Sequence, residues 1–453
     1  MSDFFTAAVE QLNLFLWGPV MIALMVGVGV YFTLFTRFFQ ITHFKTVLKN
    51  TIGSLFSKSN KNKPETKSSI TPFQAVSTAL AGTVGTGNIA GVATALTAGG
   101  PGAIVWMCIS AFFGMMTKYA EVVLAVKYRN VNQHGEYSGG PMYYIENGLK
   151  LKPMAIIFAL LCIMSSFGIG NITQSNSISD VINTVFNIPH WLCGLILATL
   201  CGVVLIGGVN RISKVSEIIV PFMAVFYVLG AIVFLCINAG QIPSTLKLIF
   251  SSAFNLKSAA GGVAGYTVRQ ALQYGVARGV FTNEAGMGSA PIAHASADTN
   301  DPVSQGMWGI FEVFLDTIVI CTLTTLVILT AEGGTLWNSG LDGAQLTTAA
   351  FSSVFGSFGA VFIAISILFF AFATILGWAF YGQKALDYIS GGNENLILAY
   401  KIFYILLIFA GAMINIKFVW SIADALNGLM AIPNLIAILF LSGVVFKLTK
   451  EHK

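Results

Sequence analysis

Two glycine-rich stretches contain the residue types in this sequence that best suit ligand binding. "LAGTVGTGNIAG" at 80–91 and "FTNEAGMGSA" at 281–290 both lie in apolar segments, where a buried helix would favour leucine and alanine. Glycine disfavours a helix by about 1 kcal/mol relative to alanine, so each stretch predicts a helix break. At membrane depth a break exposes carbonyl and N–H groups that lipid cannot satisfy, so it must line a cavity or bind something. Half-helix N-termini attract carboxylates, and freed carbonyls with hydroxyls attract cations.

Close packing between helices is the alternative explanation for these glycines, because small residues let two helices approach each other. Both stretches also contain polar side chains, which packing alone does not require. We therefore favour a binding function for both. The polar residues are Thr83, Thr86 and Asn88 in the first stretch and Thr282, Asn283, Glu284 and Ser289 in the second.

The composition places these stretches in a membrane protein. Of 453 residues, 55% are apolar and only 9% are charged, and the mean hydropathy is +0.78. The apolar runs are long enough to cross about 30 Å of hydrocarbon as helices, and none alternates as a barrel strand does. The sequence therefore predicts an all-α polytopic membrane protein. Its six cysteines lie in the apolar runs, which predicts small buried hydrophobes rather than disulfides or zinc ligands.

Eleven apolar runs are predicted to span the membrane. No cleavable signal peptide is evident, because the first ten residues contain no basic region. Without the first run, ten remain, and they divide into halves at 70–238 and 267–446 with a glycine-rich stretch at corresponding positions. If the halves form an inverted repeat, the two stretches meet near the membrane midplane. The predicted spans are 12–35, 70–97, 101–127, 153–186, 189–209, 215–238, 267–296, 304–330, 357–386, 395–414 and 418–446.

Basic residues set the predicted orientation. The segment 36–69 contains seven Lys and Arg residues against Glu65 alone, so the positive-inside rule makes it cytoplasmic. Within it, 43–56 is predicted to be an interfacial helix. The N-terminus is then outside, 239–266 is an external loop, and 447–453 is a cytoplasmic tail. The net charge of +5 follows mostly from this topology and indicates no nucleic-acid partner.

The whole chain resembles the alanine or glycine:cation symporter family. The resemblance rests on "GGPGAIVWMCISAFFG" at 99–114 and on both glycine-rich stretches with their flanks. Val105 and Cys108 stand where the family usually has an aromatic residue and a second tryptophan. More distantly, the two stretches resemble the unwound regions of LeuT-type sodium-coupled amino-acid transporters. The resemblance implies ten core helices in two inverted five-helix halves, preceded here by the extra helix at 12–35.

The function that this resemblance implies is symport in the plasma membrane. Small amino acids such as alanine and glycine would be imported with sodium by alternating access, without an organic cofactor. Proton coupling is one alternative. A passive channel is another, but channels usually repeat a filter loop around an axis, and no such repeat occurs. An enzyme is not expected, because the spans contain no HExxH or GxSxG motif.

The resemblance also implies cation sites. One would use two backbone carbonyls of the first stretch and a hydroxyl of the eighth core helix, and its candidate residues are Ala81, Val84, Ala371 and Thr374. Where LeuT-type proteins often add a second hydroxyl, this chain has Ile375. A second site would use a backbone carbonyl with two side chains, and its candidates are Thr83, Asn88 and Thr282.

The implied substrate site surrounds the same stretches. Phe281 and Met287 would form a lid and a wall, and Trp378 would be either a gate or a core aromatic. Glu284 would hold the substrate ammonium or organise the break. The polar residues Gln74, Asn171 and Gln174 are either pocket residues or ordinary interhelical hydrogen-bonding groups. The backbone candidates for the substrate carboxylate are Thr83, Gly85, Thr86 and Gly87.

Other charged groups at membrane depth are also candidates, because burying a charge is costly. Lys118 and Glu121 are three residues apart on one predicted helix and are expected to pair. His294 is expected to be a packed histidine rather than a proton relay. Structural pairing and an ion pathway are both open for Glu312, Asp316 and Asp424.

Overall fold

The computed structural model describes residues 2–55, 70–133, 135–254, 268–414 and 417–452. These residues are mostly helical, as the apolar runs predict, and they include one two-stranded hairpin. The helices that precede the first half of the core are α1 (Ser2–Leu16), α2 (Pro19–Phe35), α3 (Phe39–Thr42), α4 (Phe44–Asn50) and α5 (Ile52–Leu55).

The predicted span 12–35 lies within one candidate membrane span, Ala7–Phe35, but two helices rather than one form that span. α1 ends at Leu16 and α2 begins at Pro19, whose missing N–H is tolerated in a first helical turn. At Gly18, a Cβ atom would lie 2.4 Å from the carbonyl oxygen of Leu14. The Gly-Pro dipeptide therefore breaks the helix inside a continuous apolar run.

The first half of the core contains the first glycine-rich stretch between two short helices. A hairpin of β1 (Asn130–Val131) and β2 (Tyr137–Ser138) follows the helix that ends at Lys127. This hairpin was not predicted from the sequence. The helices are α6 (Pro72–Thr83), α7 (Ala90–Gly99), α8 (Ala103–Lys127), α9 (Pro141–Leu149), α10 (Lys152–Phe167), α11 (Thr173–Phe186), α12 (His190–Ile206) and α13 (Gly208–Ile237).

The second half contains the second glycine-rich stretch, again between two helices. The helices are α15 (Val268–Asn283), α16 (Pro291–His294), α17 (Pro302–Val313), α18 (Thr322–Thr330), α19 (Gly343–Phe355), α20 (Ser357–Ser390), α21 (Glu394–Gly411), α22 (Lys417–Phe440) and α23 (Ser442–Glu451). Between the halves lies α14 (Ile242–Phe254), so the predicted loop 239–266 is partly helical. Most of the predicted tail 447–453 is helical, because α23 continues to Glu451.

The predicted interfacial helix at 43–56 corresponds to α4 and α5. Thr51 interrupts it, and residue 56 lies outside the described residues. Two core helices contain π-helical segments, at Gly168–Ile172 between α10 and α11 and at Phe314–Cys321 between α17 and α18. Such segments often occur at functional sites.

Within the described ranges, eight helical segments are long and apolar enough to cross a membrane. The predicted spans 70–97, 189–209 and 267–296 are not among them. Glycine-rich stretches interrupt the first and third, and α12 has only 17 residues.

The two halves are packed into each other, which places both glycine-rich stretches at the centre. α8 packs against α15 and α17, and α20 packs against α6, α10 and α11. All six cysteines are free. The prediction that all are buried is wrong for Cys236, which is exposed, and for Cys108, which is half-buried, because α13 and α8 each keep an outward face.

Candidate functional site

The structure brings the two glycine-rich breaks into contact. α6 ends at Thr83, a short turn covers Thr86–Asn88, and α7 begins at Ala90. A Cβ atom on Gly87 would lie 2.9 Å from Thr282 Cγ2 and 3.7 Å from Phe281 Cδ1. Glycine is therefore required where the first break meets the end of α15.

The second break uses left-handed backbone. Between α15 and α16, Glu284, Gly286 and Gly288 have φ values of 54°, 94° and 80°. Glycine adopts this region without strain, whereas a residue with a side chain rarely does. The carboxylate of Glu284 is buried and accepts a hydrogen bond from Ser289 Oγ at 2.5 Å. Glu284 thus joins the two sides of its own break, which fits the organising function considered for it.

The candidate residues of the first cation site lie side by side. Thr374 Oγ1 would lie 2.5 Å from a Cβ atom on Gly85, and a Cβ atom on Gly377 would lie 3.0 Å from the carbonyl carbon of Ala81. Val84 has an extended ψ of 94°, so the helix ladder does not continue through its carbonyl. Ala371 is fully buried one turn before Thr374. Hydroxyl and carbonyl oxygens are neutral ligands that suit a hard monovalent cation, so these residues remain the candidates for this site.

The candidates for the second cation site meet a carboxylate. Asn88 Oδ1 accepts from the N–H of Gly85 at 3.0 Å, and Asn88 Nδ2 donates to Asp316 Oδ1 at 2.6 Å. The thiol of Cys321 lies 4.0 Å from Thr282 Oγ1 and 3.3 Å from Asn88 Nδ2. Asp316 therefore belongs to the same cluster as Asn88 and Thr282, and it brings a carboxyl group to the point where both breaks meet.

A second buried carboxylate, that of Glu312, contacts the first break at the end of α6. Thr83 Oγ1 donates to Glu312 Oε1 at 2.7 Å. Gln305 Nε2 donates to His294 Nδ1 at 2.9 Å, and His294 Nε2 donates to Glu312 Oε2 at 2.9 Å. His294 is therefore hydrogen-bonded through both ring nitrogens.

The expected pair of Lys118 with Glu121 is wrong. Lys118 Nζ lies 3.5 Å from Glu312 Oε1, and both side chains are fully buried. Glu121 accepts from Asn434 Nδ2 of α22 instead. Residues three apart are neighbours on a helix surface, but here each side chain extends to a different neighbouring helix, Lys118 to α17 and Glu121 to α22.

One polar residue of the third core helix contacts the first break, and another contacts α21. Gln174 Oε1 accepts from Thr86 Oγ1 at 3.0 Å. Asn171 lies in a π-helical segment, and its Nδ2 donates to the carbonyl of Tyr404 at 2.8 Å. The buried Oδ1 of Asn171 has no hydrogen-bond partner among the described residues.

The assignment of Gln74 to the substrate site is wrong. Gln74 forms a capping box with Thr71 at the start of α6, and its Nε2 donates to Glu217 Oε2 at 2.9 Å. It lies at the far end of the helix from the break. Helix start signals of this kind are readable from the sequence "TPFQ", since a capping box pairs Ser or Thr with Glu or Gln three residues later.

Bulky side chains restrict the space beside the breaks. A Cβ atom on Gly170 would lie 2.1 Å from Trp378 Cβ, and Trp378 contacts Tyr381 edge to face at 5.5 Å. Met287 is fully buried, and Phe281 is almost so.

Threonines that sequence reasoning missed satisfy the freed carbonyls of the first break. Thr324 Oγ1 donates to the carbonyl of Asn88 at 2.8 Å, and Thr347 Oγ1 donates to that of Ile89 at 3.0 Å. The sequence "TLTT" at 322–325 contains Thr324, but hydropathy does not distinguish it from the rest of its span.

Comparisons with known proteins give the relatives of this chain. A family model described as the sodium:alanine symporter family matches residues 2–453. The sodium/alanine symporter AgcS of Methanococcus maripaludis is 46% identical over 452 residues, which cover 98% of this chain and 97% of that protein. A transporter of Haemophilus influenzae is 45% identical over 446 residues, covering 98% of this chain and 95% of that protein.

A solved structure shows the fold. The crystal structure of MhsT in complex with L-phenylalanine matches with a TM-score of 0.61 and 13% identity, over 85% of this chain and 90% of that chain. The helices thus have the LeuT-type arrangement that the two broken helices predict.

Proposed function

Because this chain belongs to the sodium:alanine symporter family, we propose that it couples the inward flow of sodium to the import of alanine across the plasma membrane. A symporter moves its substrate without changing it, so the chain is a transporter and not an enzyme. The sodium gradient supplies the free energy, and no organic cofactor takes part.

The observation that carries this proposal is the position of Thr374 against the first break. Its hydroxyl oxygen lies next to Gly85 where α20 packs on α6, and we propose that this oxygen and the carbonyl oxygens of Ala81 and Val84 form one ligand set. We assign sodium to this set. The N–H groups of Thr83 to Gly87, next to it, would hold the substrate carboxylate, so cation and substrate bind to the same break and stabilise each other.

The pocket size favours the smallest amino acids. Trp378, Met287 and Phe281 are buried around the breaks, and Gly170 leaves no space between its backbone and Trp378. We therefore extend the substrate class to glycine. Asn171, through its unpartnered Oδ1, and Glu284 are the proposed acceptors for the substrate ammonium.

Alternating access is consistent with the difference between the two ends of the broken helices, since one end is closed by contacts and the other lies beside a cavity. On the side of the basic segment, Arg129 donates to the carbonyls of Ala295 and Ala297 at 3.1 and 2.5 Å, and Ile70 forms a backbone bridge to Ala297. These contacts tie the first and sixth core helices together on the proposed cytoplasmic side. The proposed external side, where the N-terminus lies, has a cavity beside Phe281.

Proton coupling is a second candidate, because the carboxylates of Asp316 and Glu312 are fully buried beside the breaks. The test is uptake of labelled alanine into proteoliposomes under a sodium gradient, a proton gradient, or neither. Our proposal expects accumulation above the external concentration with the sodium gradient only. Accumulation driven by protons alone would favour the second candidate, and mere equilibration would indicate a passive channel.

A further inference from the structure

A cavity of about 280 Å³ lies where α20 ends and α21 begins, and it has no function in the account above. Its other walls are the hairpin turn between β1 and β2 and the junction of α12 with α13. The hairpin directly follows Arg129, so the cavity lies on the proposed cytoplasmic side. Lys384, which lines it, is ten residues after Thr374 on α20, or about 15 Å along the helix. The cavity is therefore separate from the candidate sodium ligands.

Apolar side chains of the cavity wall face the bilayer. Ile206, the last residue of α12, and Leu398 of α21 line the cavity and are 70% and 52% exposed. Among the candidate membrane spans of the described ranges, α21 is the least buried, so much of its surface meets lipid. A ligand of this cavity can therefore have an apolar part that stays in the membrane. A whole phospholipid is larger than the cavity, but a headgroup fits inside.

Five charged residues line the cavity, three acids and two lysines. Lys384 Nζ lies 2.7 Å from Glu136 Oε2, so this lysine and this acid neutralise each other. Asp387 Oδ2 accepts only a neutral hydrogen bond, from Asn132 Nδ2 at 3.2 Å. Glu136 also attracts Lys401, but neither Lys401 nor Asp387 forms an ion pair within the part of the chain that the structure describes. The charged residues are Glu136, Lys384, Asp387, Glu394 and Lys401.

The position of Lys401 on α21 directs its ammonium into this cavity. Lys401 is seven residues after Glu394, the first residue of the helix, which places it about 10 Å along the axis. Helical side chains tilt toward the N-terminus of their helix, so Lys401 extends back toward the cavity and the membrane surface. It is half-buried. A lysine at this depth without a paired anion is costly, which indicates that an anionic group meets it when the protein is in a bilayer.

We propose that this cavity binds the headgroup of a phospholipid that has a primary amine, phosphatidylethanolamine, from the cytoplasmic leaflet. The phosphate pairs with Lys401, the ammonium pairs with Asp387, and the acyl chains leave the cavity past Ile206 and Leu398. Basic pockets between membrane helices on the cytoplasmic side suit lipid headgroups, and charge-assisted hydrogen bonds of this kind are the strong ones. The inference does not depend on which substrate or ion the protein transports.

The charges of the cavity also select among headgroups. Because acids outnumber lysines, a headgroup with a negative charge alone, such as that of phosphatidylglycerol, is repelled. The trimethylammonium of phosphatidylcholine is positively charged but cannot donate a hydrogen bond to Asp387. Only the ethanolamine headgroup offers both an anion for Lys401 and a hydrogen-bonding cation for Asp387.

The test is native mass spectrometry of the full chain in detergent, titrated with three phospholipids that have the same acyl chains. We expect one bound phosphatidylethanolamine, with an affinity at least about threefold above those of phosphatidylcholine and phosphatidylglycerol. Lys401→Gln should weaken its binding about fivefold or more, and Asp387→Asn should abolish the preference over phosphatidylglycerol. Lys152→Gln is the matched control, because Lys152 is an exposed lysine on the same proposed side and does not line the cavity. This control should bind as the unaltered chain does.

The comparison of lipids on the unaltered chain keeps the test valid if a variant does not fold. Soluble phosphoethanolamine has the same two charges without acyl chains, and we expect that millimolar amounts do not displace the bound lipid. The inference is overturned if the three lipids bind equally, if Lys401→Gln binds as Lys152→Gln does, or if Asp387→Asn keeps the preference. Displacement by soluble phosphoethanolamine would also overturn it, since the occupant would then be a soluble zwitterion rather than a lipid.

Discussion

The hydroxyl of Thr83, the last residue of α6, donates a hydrogen bond of 2.7 Å to the carboxylate of Glu312 on α17. The same carboxylate accepts from His294 just beyond the second break and lies 3.5 Å from Lys118 of α8. One buried anion therefore contacts both broken helices and the helix that packs against them. This arrangement fixes the end of α6 relative to the second break.

Removing the Thr83 hydroxyl tests this link. Thr83→Val keeps the shape of the side chain but leaves one lone pair of Glu312 without its donor, a change that costs about 1 to 3 kcal/mol when buried. We expect the maximal rate of alanine uptake to fall about tenfold or more. Thr83→Ser retains the hydroxyl and is the matched control, expected within about twofold of the unaltered chain. Equal rates for the two variants would contradict the link.

Replacing Thr374 tests the sodium ligands. Thr374→Ala removes the hydroxyl that lies against Gly85, so the sodium concentration for half-maximal uptake should rise about fivefold or more. Thr330→Ala is a suitable control, because that hydroxyl only donates back to its own helix at Leu326. An unchanged sodium dependence in Thr374→Ala would remove this residue from the site.

Competition tests the size of the pocket. Glycine and alanine should displace labelled alanine from the unaltered chain, whereas leucine and phenylalanine should not, because Trp378 and Met287 are fully buried around the breaks. The measurement is the inhibition of sodium-driven uptake by each unlabelled amino acid. If leucine competes as well as alanine does, the proposed walls are wrong.

Glu284 can be tested as a contact to the ammonium. Glu284→Gln keeps the hydrogen-bonding shape that Ser289 meets but removes the charge. If Glu284 pairs with the ammonium, alanine binding to the purified protein should weaken about tenfold, which corresponds to about 1.4 kcal/mol. Binding with unaltered affinity would show that Glu284 serves only to hold the break together, and Asn171 would then be the acceptor.

The breaks could be predicted from the sequence because their cause is local. Glycine at 82, 85 and 87 and at 286 and 288 weakens any helix regardless of its neighbours. Helical periodicity alone places Thr374, one turn after Ala371, on the same face of its helix. The fold class followed from the same local patterns.

The partners of the buried charges could not be predicted in this way. Lys118 pairs with Glu312, nearly 200 residues away, rather than with Glu121 on its own helix. Which of two acids faces a lysine depends on how three helices are rotated against each other, and one sequence does not contain that information. The Gly18 break was missed for another reason, because hydropathy is continuous across "LWGPVM" although the Gly-Pro pair itself was a readable signal.

The central claim is that sodium and alanine move together, and the most direct measurement is the reverse coupling. Proteoliposomes are given equal sodium on both sides and an inward alanine gradient, and labelled sodium is followed over time. Our account predicts that sodium accumulates above its external concentration until the alanine gradient is spent, and that Thr374→Ala reduces this accumulation. Alanine uptake that leaves sodium at equilibrium would contradict the account.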